Sequence, residues 1–244
     1  MDPGNTGLPF REARHGLDRD IEYNNFFGSE KAGILVIGCD PTVAEKRGRQ
    51  ASILSPFGLK RDESGIVHYR NPYFWRIFQN LCVILGMKPE ERNRATQKMF
   101  ARCVCVTNAV GEPVLGKGDS GNICRLETTN SLPLGETENS PWWKAFTKEQ
   151  QGGSWRDRLC RIAAGKTVYI TSERLVKPFL KEEYRAEAEA IRKEVREKNQ
   201  NRQKGKKEEL DYRTYHIPKE KNILDVDIYF LYRHWLYRFD GRIV

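Results

Sequence analysis

The sequence contains no long apolar run, and this absence limits the classes of protein that it can encode. No apolar stretch approaches the roughly 20 residues that span a bilayer, so we expect no membrane-spanning segment. Residues 1–14 lack the apolar centre of a signal peptide. We therefore predict a protein of the bacterial or archaeal cytoplasm, or of the nucleus, and not a secreted one.

The sequence also lacks the usual motifs that hold metals and phosphates. Its 6 cysteines include no Cys-x-x-Cys pair, so we predict no bound metal and no cofactor. Cys103 and Cys105 lie two residues apart in an apolar run, and we expect both to be buried as small hydrophobic side chains. No Gly-x-x-x-x-Gly-Lys-Ser stretch occurs, which argues against a P-loop nucleotide hydrolase.

Positive charge is what the sequence has in excess. It contains 42 Lys and Arg against 33 Asp and Glu, which gives a net charge of +9. Such a surface favours polyanions, and nucleic acid first among them, although a basic protein without such a partner is the alternative. The 5 Trp, 10 Tyr and 11 Phe strengthen the expectation of nucleic acid, because bases stack on aromatic rings.

Four short apolar runs predict the sheet. They are rich in β-branched and aromatic residues and continuous rather than alternating, which is typical of parallel strands buried on both faces. The runs lie at 34–37, 103–106, 167–170 and 228–231. The length of 244 residues suits one α/β domain. We predict that this single domain spans 1–244, with an N-terminal arm at 1–30 and a charged insertion at 181–222.

The sequence predicts helices and two long loops between these runs. Apolar periodicity predicts a helix over 72–86 and a short amphipathic helix over 155–164. The stretches 41–72 and 110–142 lack such periodicity and are interpreted as long loops, which are usually functional in compact domains. The charged stretch 181–209 predicts a solvated helix.

Polar residues follow three of the four apolar runs. Asp40 follows the first, Asn108 the second and His234 the fourth. Ligands bind open parallel sheets beyond the carboxyl ends of the strands, so we expect these side chains to converge on one crevice. Each also has a structural alternative. Asp40 before Pro41 can cap a turn, Asn108 can cap a helix or a turn, and His234 can be a structural histidine.

Four stretches resemble the signatures of the uracil-DNA glycosylase superfamily, in the family's order. A strand followed by Gly-Cys-Asp-Pro resembles the first signature. A phenylalanine loop resembles the segment that stacks on the base, and a strand ending in Thr-Asn-Ala-Val resembles the one with the base-reading asparagine. Arg-His-Trp-Leu-Tyr resembles the histidine-containing wedge loop more loosely, because the usual His-Pro-Ser is absent. The stretches lie at 38–42, 55–59, 107–110 and 233–237.

The resemblance implies a three-layer α/β/α fold with a four-stranded, mainly parallel central sheet, and it implies roles for individual residues. Asp40 would align or deprotonate water, and His234 would donate a hydrogen bond to the departing base. Asn108 would bind the base edge, and Phe57 would stack on the base. The resemblance also implies Thr42 and Cys39 as base-binding residues, and Arg233, Trp235, Leu236 and Arg238 as DNA-binding residues.

Thr42 departs from the pattern of the uracil-specific members. In those members a tyrosine at this position excludes any base substituent at C5 larger than hydrogen, whereas Thr42 is much smaller. The resemblance thus implies a monomeric, monofunctional DNA glycosylase that flips out a 5-modified pyrimidine, such as hydroxymethylated or glucosylated cytosine in phage DNA, and leaves an abasic site. The alternatives are a uracil or thymine-mismatch repair glycosylase, a catalytically inactive DNA-binding homologue, and a hydrolase of free nucleosides or nucleotides.

Overall fold

The computed structural model describes the central sheet, the helices packed on it and two short two-stranded ladders. The described residues are 26–39, 59–61, 67–69, 81–82, 85, 87, 102–111, 141–172, 175–203, 216–231, 238–239 and 242–243. Within these ranges the protein belongs to the α/β class, with a six-stranded mixed sheet. No helix among them combines the length and the apolar character needed to cross a membrane.

The described elements follow one another along the chain as short strands and helices. They are β1 (Phe26–Phe27), β2 (Ile34–Gly38), β3 (Leu59–Arg61), β4 (Val67–Tyr69), β5 (Val104–Asn108), α1 (Pro141–Thr147), α2 (Trp155–Ala163), β6 (Thr167–Ile170), α3 (Val176–Phe179), α4 (Ala188–Gln203), β7 (His216–Ile217), β8 (Ile228–Phe230), β9 (Arg238–Phe239) and β10 (Arg242–Ile243). Two 3₁₀ helices, Glu182–Glu187 and Lys219–Lys221, precede α4 and β8.

The strand order of the main sheet is β1-β5-β2-β6-β8-β7. The four inner strands are mutually parallel, and they correspond to the four apolar runs. The two edge strands, β1 and β7, pair in the antiparallel sense with β5 and β8. Among the described residues the sheet therefore has six strands rather than the four expected, because two-residue edge strands add to the parallel centre.

Alternate side chains of the inner strands enter two different apolar clusters. Leu35 and Ile37 of β2 belong to a cluster that includes side chains from α1 to α4. Val36, between them, belongs to a second cluster with Leu81 and Cys82. Both faces of β2 are therefore buried, which explains why its sequence is continuously apolar instead of alternating.

The helix α2 begins at a capping box. The main-chain N–H of Asp157 donates to Ser154 Oγ at 3.2 Å, and the main-chain N–H of Ser154 donates to Asp157 Oδ2 at 3.1 Å. These bonds satisfy N–H groups that the first turn of a helix leaves without partners. The predicted helix over 155–164 is confirmed to within one residue.

Two stretches predicted as loops contain regular structure. The end of the 110–142 stretch is helical, because α1 starts at Pro141, a residue suited to a first helical turn. Trp142 and Phe146 then stack across one turn of α1 with ring centroids 5.0 Å apart. The 41–72 stretch contains β3 and β4, which form an antiparallel ladder.

The expectation for the two neighbouring cysteines is half right. Cys105 is buried in β5, as predicted. Cys103 is exposed, and it lies in a helical turn directly before the strand. The prediction was wrong for Cys103 because the i, i+2 rule applies only inside a strand, and β5 begins at Val104.

The charged stretch after α3 contributes to the core and to the sheet. Ala188 and Val195 on α4 are buried in the larger apolar cluster, so this helix is amphipathic rather than fully solvated. Further along, β7 pairs with β8 at the edge of the sheet. Residues within the expected insertion are thus packed against the main domain.

Candidate functional site

The carboxyl ends of β2 and β5 lie side by side. Gly38 at the end of β2 is the register partner of Asn108 at the end of β5. The hydrogen-bond ladder continues past both strands, since Ala109 N donates to Gly38 O at 2.8 Å and Val110 N donates to Cys39 O at 3.0 Å. Two of the predicted base-binding residues, Cys39 and Asn108, are therefore brought to the same edge of the sheet.

The carboxyl end of β6 borders β2 on the other side. Thr171, directly after β6, donates to Ile37 O twice, from its main-chain N at 3.1 Å and from its Oγ1 at 3.2 Å. Its residue surface is only 7% exposed. The end of β2 is thus held from both neighbouring strands.

The residue paired with Asn108 on β2 is Gly38, which has no side chain. Val36 and Val106 are register partners in the same apolar cluster, and Gly38 and Asn108 are the next pair on that face. Adjacent strands are about 4.8 Å apart, so the backbones of β5 and β6, on either side of β2, are separated by roughly 10 Å. Between them, Gly38 presents only main-chain atoms to this face.

The backbone around Asn108 is well anchored, and its side chain has the chemistry of a selective binding group. Asn108 is 6% exposed, and the Thr107 hydroxyl donates to the Asn108 carbonyl at 3.2 Å. A carboxamide offers both a donor and an acceptor, as the edge of a pyrimidine does. Cys39, half-buried and not in a disulfide, adds a thiol at the same edge.

The fourth parallel strand ends at the same edge. Leu231, directly after β8, donates from its main-chain N to Ile170 O at 2.8 Å, which extends the β6–β8 ladder. Leu231 precedes the predicted Arg-His-Trp stretch in the chain. The described parts of the chain therefore approach this edge from all four parallel strands.

Most of the predicted site residues lie outside the residues that the structure describes. These are Asp40, Thr42, Phe57, Arg233, His234, Trp235 and Leu236. Arg238 is described only as backbone in β9, where it pairs with Ile243 of β10. The convergence of Asp40 and His234 with Asn108 stays a prediction.

Thr171 is a residue of this edge that sequence reasoning missed. A signal for it was present, because Thr171 follows the third apolar run just as polar residues follow the other three. The rule that parallel strands end at one edge applies equally to all four runs. A Thr-Ser pair is also ordinary turn composition, so it carries no distinctive chemistry of its own.

The thiol of Cys105, inside the sheet, has low reactivity. Burial raises the pKa of Cys105 from 9.0 to about 12, and its Sγ donates to Ile34 O at 3.4 Å. A protonated thiol is a poor nucleophile and a poor metal ligand. Within the described residues no group of three or more His, Cys, Asp and Glu side chains is arranged to hold a metal ion.

No protein-family model, curated protein or solved structure matches this chain. The order of the sequence motifs and the geometry of the four strand ends are therefore the features from which a function can be inferred.

Proposed function

We propose that this protein is a DNA glycosylase resembling the uracil-DNA glycosylase superfamily, which flips a 5-modified pyrimidine out of DNA and hydrolyses its N-glycosidic bond. The observation that carries this proposal is the register at the edge of the sheet. Gly38 is paired with Asn108, and the bond from Val110 N to Cys39 O extends the ladder to the residue covalently joined to Asp40.

The architecture supports the proposal at a coarser level. The four apolar runs correspond to four parallel strands, and apolar clusters cover both faces of β2. A three-layer α/β/α arrangement requires a sheet that is buried on both sides. Ligands of such sheets bind beyond the carboxyl ends of the strands, where Asn108 and Cys39 lie.

The chemistry of base removal explains why these residue types are needed. Breaking the bond between C1′ and the base nitrogen develops positive charge on the sugar and negative charge on the base. Asp40 stabilises the sugar cation and accepts a proton from the attacking water, while His234 donates a hydrogen bond to the pyrimidine O2. Water adds to C1′, the bonding electron pair leaves with the base, and the base is released after protonation.

Recognition of the flipped base requires contacts to its edge and to its face. Asn108 provides a donor and an acceptor for the edge, and Phe57 provides a stacking surface. Thr42 leaves room for a substituent at C5, which favours hydroxymethylated or glucosylated cytosine over uracil alone. Filling the vacated stack with Trp235 or Leu236 offsets part of a flipping cost of a few kcal/mol.

Contacts to the DNA backbone would complete the site. Arg233 and Arg238 follow the fourth parallel strand in the chain, and arginines bind phosphates strongly. The net charge of +9 supports DNA as the partner. Binding should therefore weaken steeply as the salt concentration rises.

The direct test is release of a base from defined duplexes. Duplexes carrying uracil, a thymine mismatch, hydroxymethylcytosine or glucosylated hydroxymethylcytosine are incubated with the protein and then treated with alkali, which cleaves abasic sites. We expect cleavage of a duplex with a 5-modified pyrimidine, and a loss of roughly a hundredfold or more in Asp40→Asn and Asn108→Ala. Lys193→Ala, on an exposed part of α4, is the control and should match the parent.

Each alternative gives a different result in the same experiment. Salt-sensitive DNA binding without base release identifies an inactive DNA-binding homologue. Strong competition by free nucleosides identifies a hydrolase of small molecules, and cleavage of uracil or mismatch duplexes alone identifies a repair glycosylase. Intact strands from every duplex would refute the enzymatic proposal.

A further inference from the structure

Thr171 makes two hydrogen bonds to one carbonyl oxygen. The bond from its main-chain N to Ile37 O, 3.1 Å, belongs to the regular ladder between β6 and β2. The bond from its hydroxyl to the same oxygen, 3.2 Å, is additional. A carbonyl oxygen has two lone pairs, so it can accept both. The side chain thus reinforces a contact that the backbone already makes.

This doubled contact lies at the point where β2 separates from β6. Successive carbonyls of a strand point alternately to its two neighbours, and Ile37 O and Gly38 O do so, towards β6 and β5 respectively. The next carbonyl breaks the alternation, because Cys39 O accepts from Val110 N on the β5 side. The chain therefore turns towards β5 at Cys39, two residues after Ile37.

We propose that Thr171 is a positioning residue of the candidate site: its hydroxyl fixes the carbonyl of Ile37, two residues before the bend at which Cys39 turns towards β5. The catalytic consequence rests on the proposed glycosylase function. The structural part does not, because it concerns only how Cys39 is held. Thr171 is not assigned any contact with the reacting atoms.

Two substitutions separate the hydroxyl from the rest of the side chain. Thr171→Val keeps the shape and the main-chain bond but removes the hydroxyl, so the ladder between β6 and β2 persists. Thr171→Ser keeps the hydroxyl and removes the methyl group. A small displacement of a catalytic group is costly, so we expect Thr171→Val to lower kcat about tenfold or more with KM nearly unchanged. Thr171→Ser should restore kcat to within about threefold of the parent.

The thiol of Cys39 gives a second readout that does not depend on activity. Cys39 is half-buried and lies at the bend, so its rate of alkylation reports how firmly the segment is held. We expect Thr171→Val to accelerate alkylation of Cys39 about fivefold or more, measured by peptide mass spectrometry, with Thr171→Ser close to the parent. Cys105, buried in β5, is the internal control and should stay unmodified in all three proteins.

The two readouts separate failure of this inference from failure of the proposed function. If the parent releases no base but Cys39 still reacts faster in Thr171→Val alone, the positioning of the segment is supported and the glycosylase function is refuted. If the parent is active and Thr171→Val matches it in both kcat and Cys39 alkylation, the inference is overturned. It is also overturned if Thr171→Ser is as impaired as Thr171→Val, because the hydroxyl is then not the responsible group.

Discussion

Two buried asparagines stand in regions of the molecule that are organised in different ways. Asn222 lies in the segment between β7 and β8 and is 0% exposed, while Asn108 ends β5 and is 6% exposed. In the first region a side chain holds the backbone. In the second, the strand ends are held by neighbouring main-chain N–H groups and by the Thr171 hydroxyl.

The side-chain amide of Asn222 forms hydrogen bonds with the main chain around it. Its Oδ1 accepts from Leu224 N at 2.9 Å. Its Nδ2 lies within 3.3 Å of three carbonyl oxygens, those of Ile217, Pro218 and Val226. One side chain therefore ties together main-chain groups of β7, of the start of the 3₁₀ helix and of the turn before β8.

The comparison teaches how a structural asparagine differs from a candidate binding asparagine. At residue 222 the backbone depends on the amide, whereas beside Asn108 the ladder bonds of Ala109 and Val110 fix the backbone. Burial alone does not distinguish the two residues. What distinguishes them is whether regular structure already supplies the hydrogen bonds that the local backbone needs.

The largest effect that we predict tests this difference directly. Asn222→Ala removes the hydrogen bonds of a fully buried amide to the surrounding main chain, so it should lower the free energy of unfolding by about 3 kcal/mol. Asn108→Ala should lower the free energy of unfolding less than Asn222→Ala does, because the main-chain ladder beside residue 108 remains. Urea unfolding followed by circular dichroism measures both. Equal losses in the two variants would show that Asn108 is as structural as Asn222.

A second prediction concerns the packing at the start of β5, where Gly28 contacts its main chain. Gly28 has a φ of +115°, and a Cβ there would lie 2.7 Å from Val104 O and 2.9 Å from Cys105 Cα. Gly28→Ala combines backbone strain with a clash against main-chain atoms, so it should destabilise the protein by about 2–3 kcal/mol.

Gly33→Ala is the matched control for this variant. A Cβ at Gly33 would meet nothing within 4 Å, so the free energy of unfolding should change by less than about 1 kcal/mol. Thermal unfolding of both variants measures the difference. A Gly28→Ala protein as stable as Gly33→Ala would mean that the contact between β1 and β5 is looser than the geometry requires.

The sheet shows what the sequence could predict and what it could not. Four strands were predictable because burial on both faces leaves a continuous apolar run. The order β5-β2-β6-β8 was not, since it depends on contacts between distant parts of the chain. The edge strands β1 and β7 were missed because two residues are too few to show a period.

The same distinction applies to the site. The rule for parallel strands predicted that Asn108 and the residues after β2 would share an edge, and Cys39 does lie beside Val110 there. Thr171 and Asn222 were not predicted, because a threonine or asparagine in a turn acquires its role only from the carbonyls that the fold brings to it. Sequence chemistry identifies the residues that are unusual in type, and it misses those that are unusual only in their surroundings.

A smaller effect is expected at the capping box, where a side chain again supplies bonds that the backbone lacks. Ser154→Ala should cost about 1 kcal/mol of stability at pH 7. The hydrogen bond from Ser154 lowers the pKa of Asp157 below its ordinary value of 3.8. The ionised Asp157 carboxylate therefore contributes to the stability of the folded protein above pH 3.8. This contribution is lost as the pH falls through the lower pKa that Asp157 has in the folded state.

Urea unfolding of the parent and of the Ser154→Ala protein between pH 7 and pH 3 tests the direction of this pH dependence. The difference in stability from the parent should narrow as the solution is acidified. Asp157→Asn is the control, since it removes the titrating group and should show a smaller dependence on pH in this range. A gap that widens on acidification would contradict the assigned cause of the pKa shift.

The smallest effect on stability, and the sharpest contrast in reactivity, is expected at the start of β5. Cys103 is exposed and Cys105 is buried with a pKa of about 12. In native protein at pH 8, iodoacetamide should modify Cys103 at least about a thousandfold faster than Cys105, and Cys105 should react only after unfolding. Cys103→Ser should change the free energy of unfolding by less than about 0.5 kcal/mol.

The raised pKa means that the protonated Cys105 thiol contributes fully to stability below pH 9.0, and that this contribution is lost as the pH rises towards 12. Comparable labelling of both thiols in folded protein would mean that β5 opens readily. The conclusion that the backbone around Asn108 is firmly held, which the comparison with Asn222 requires, would then be wrong.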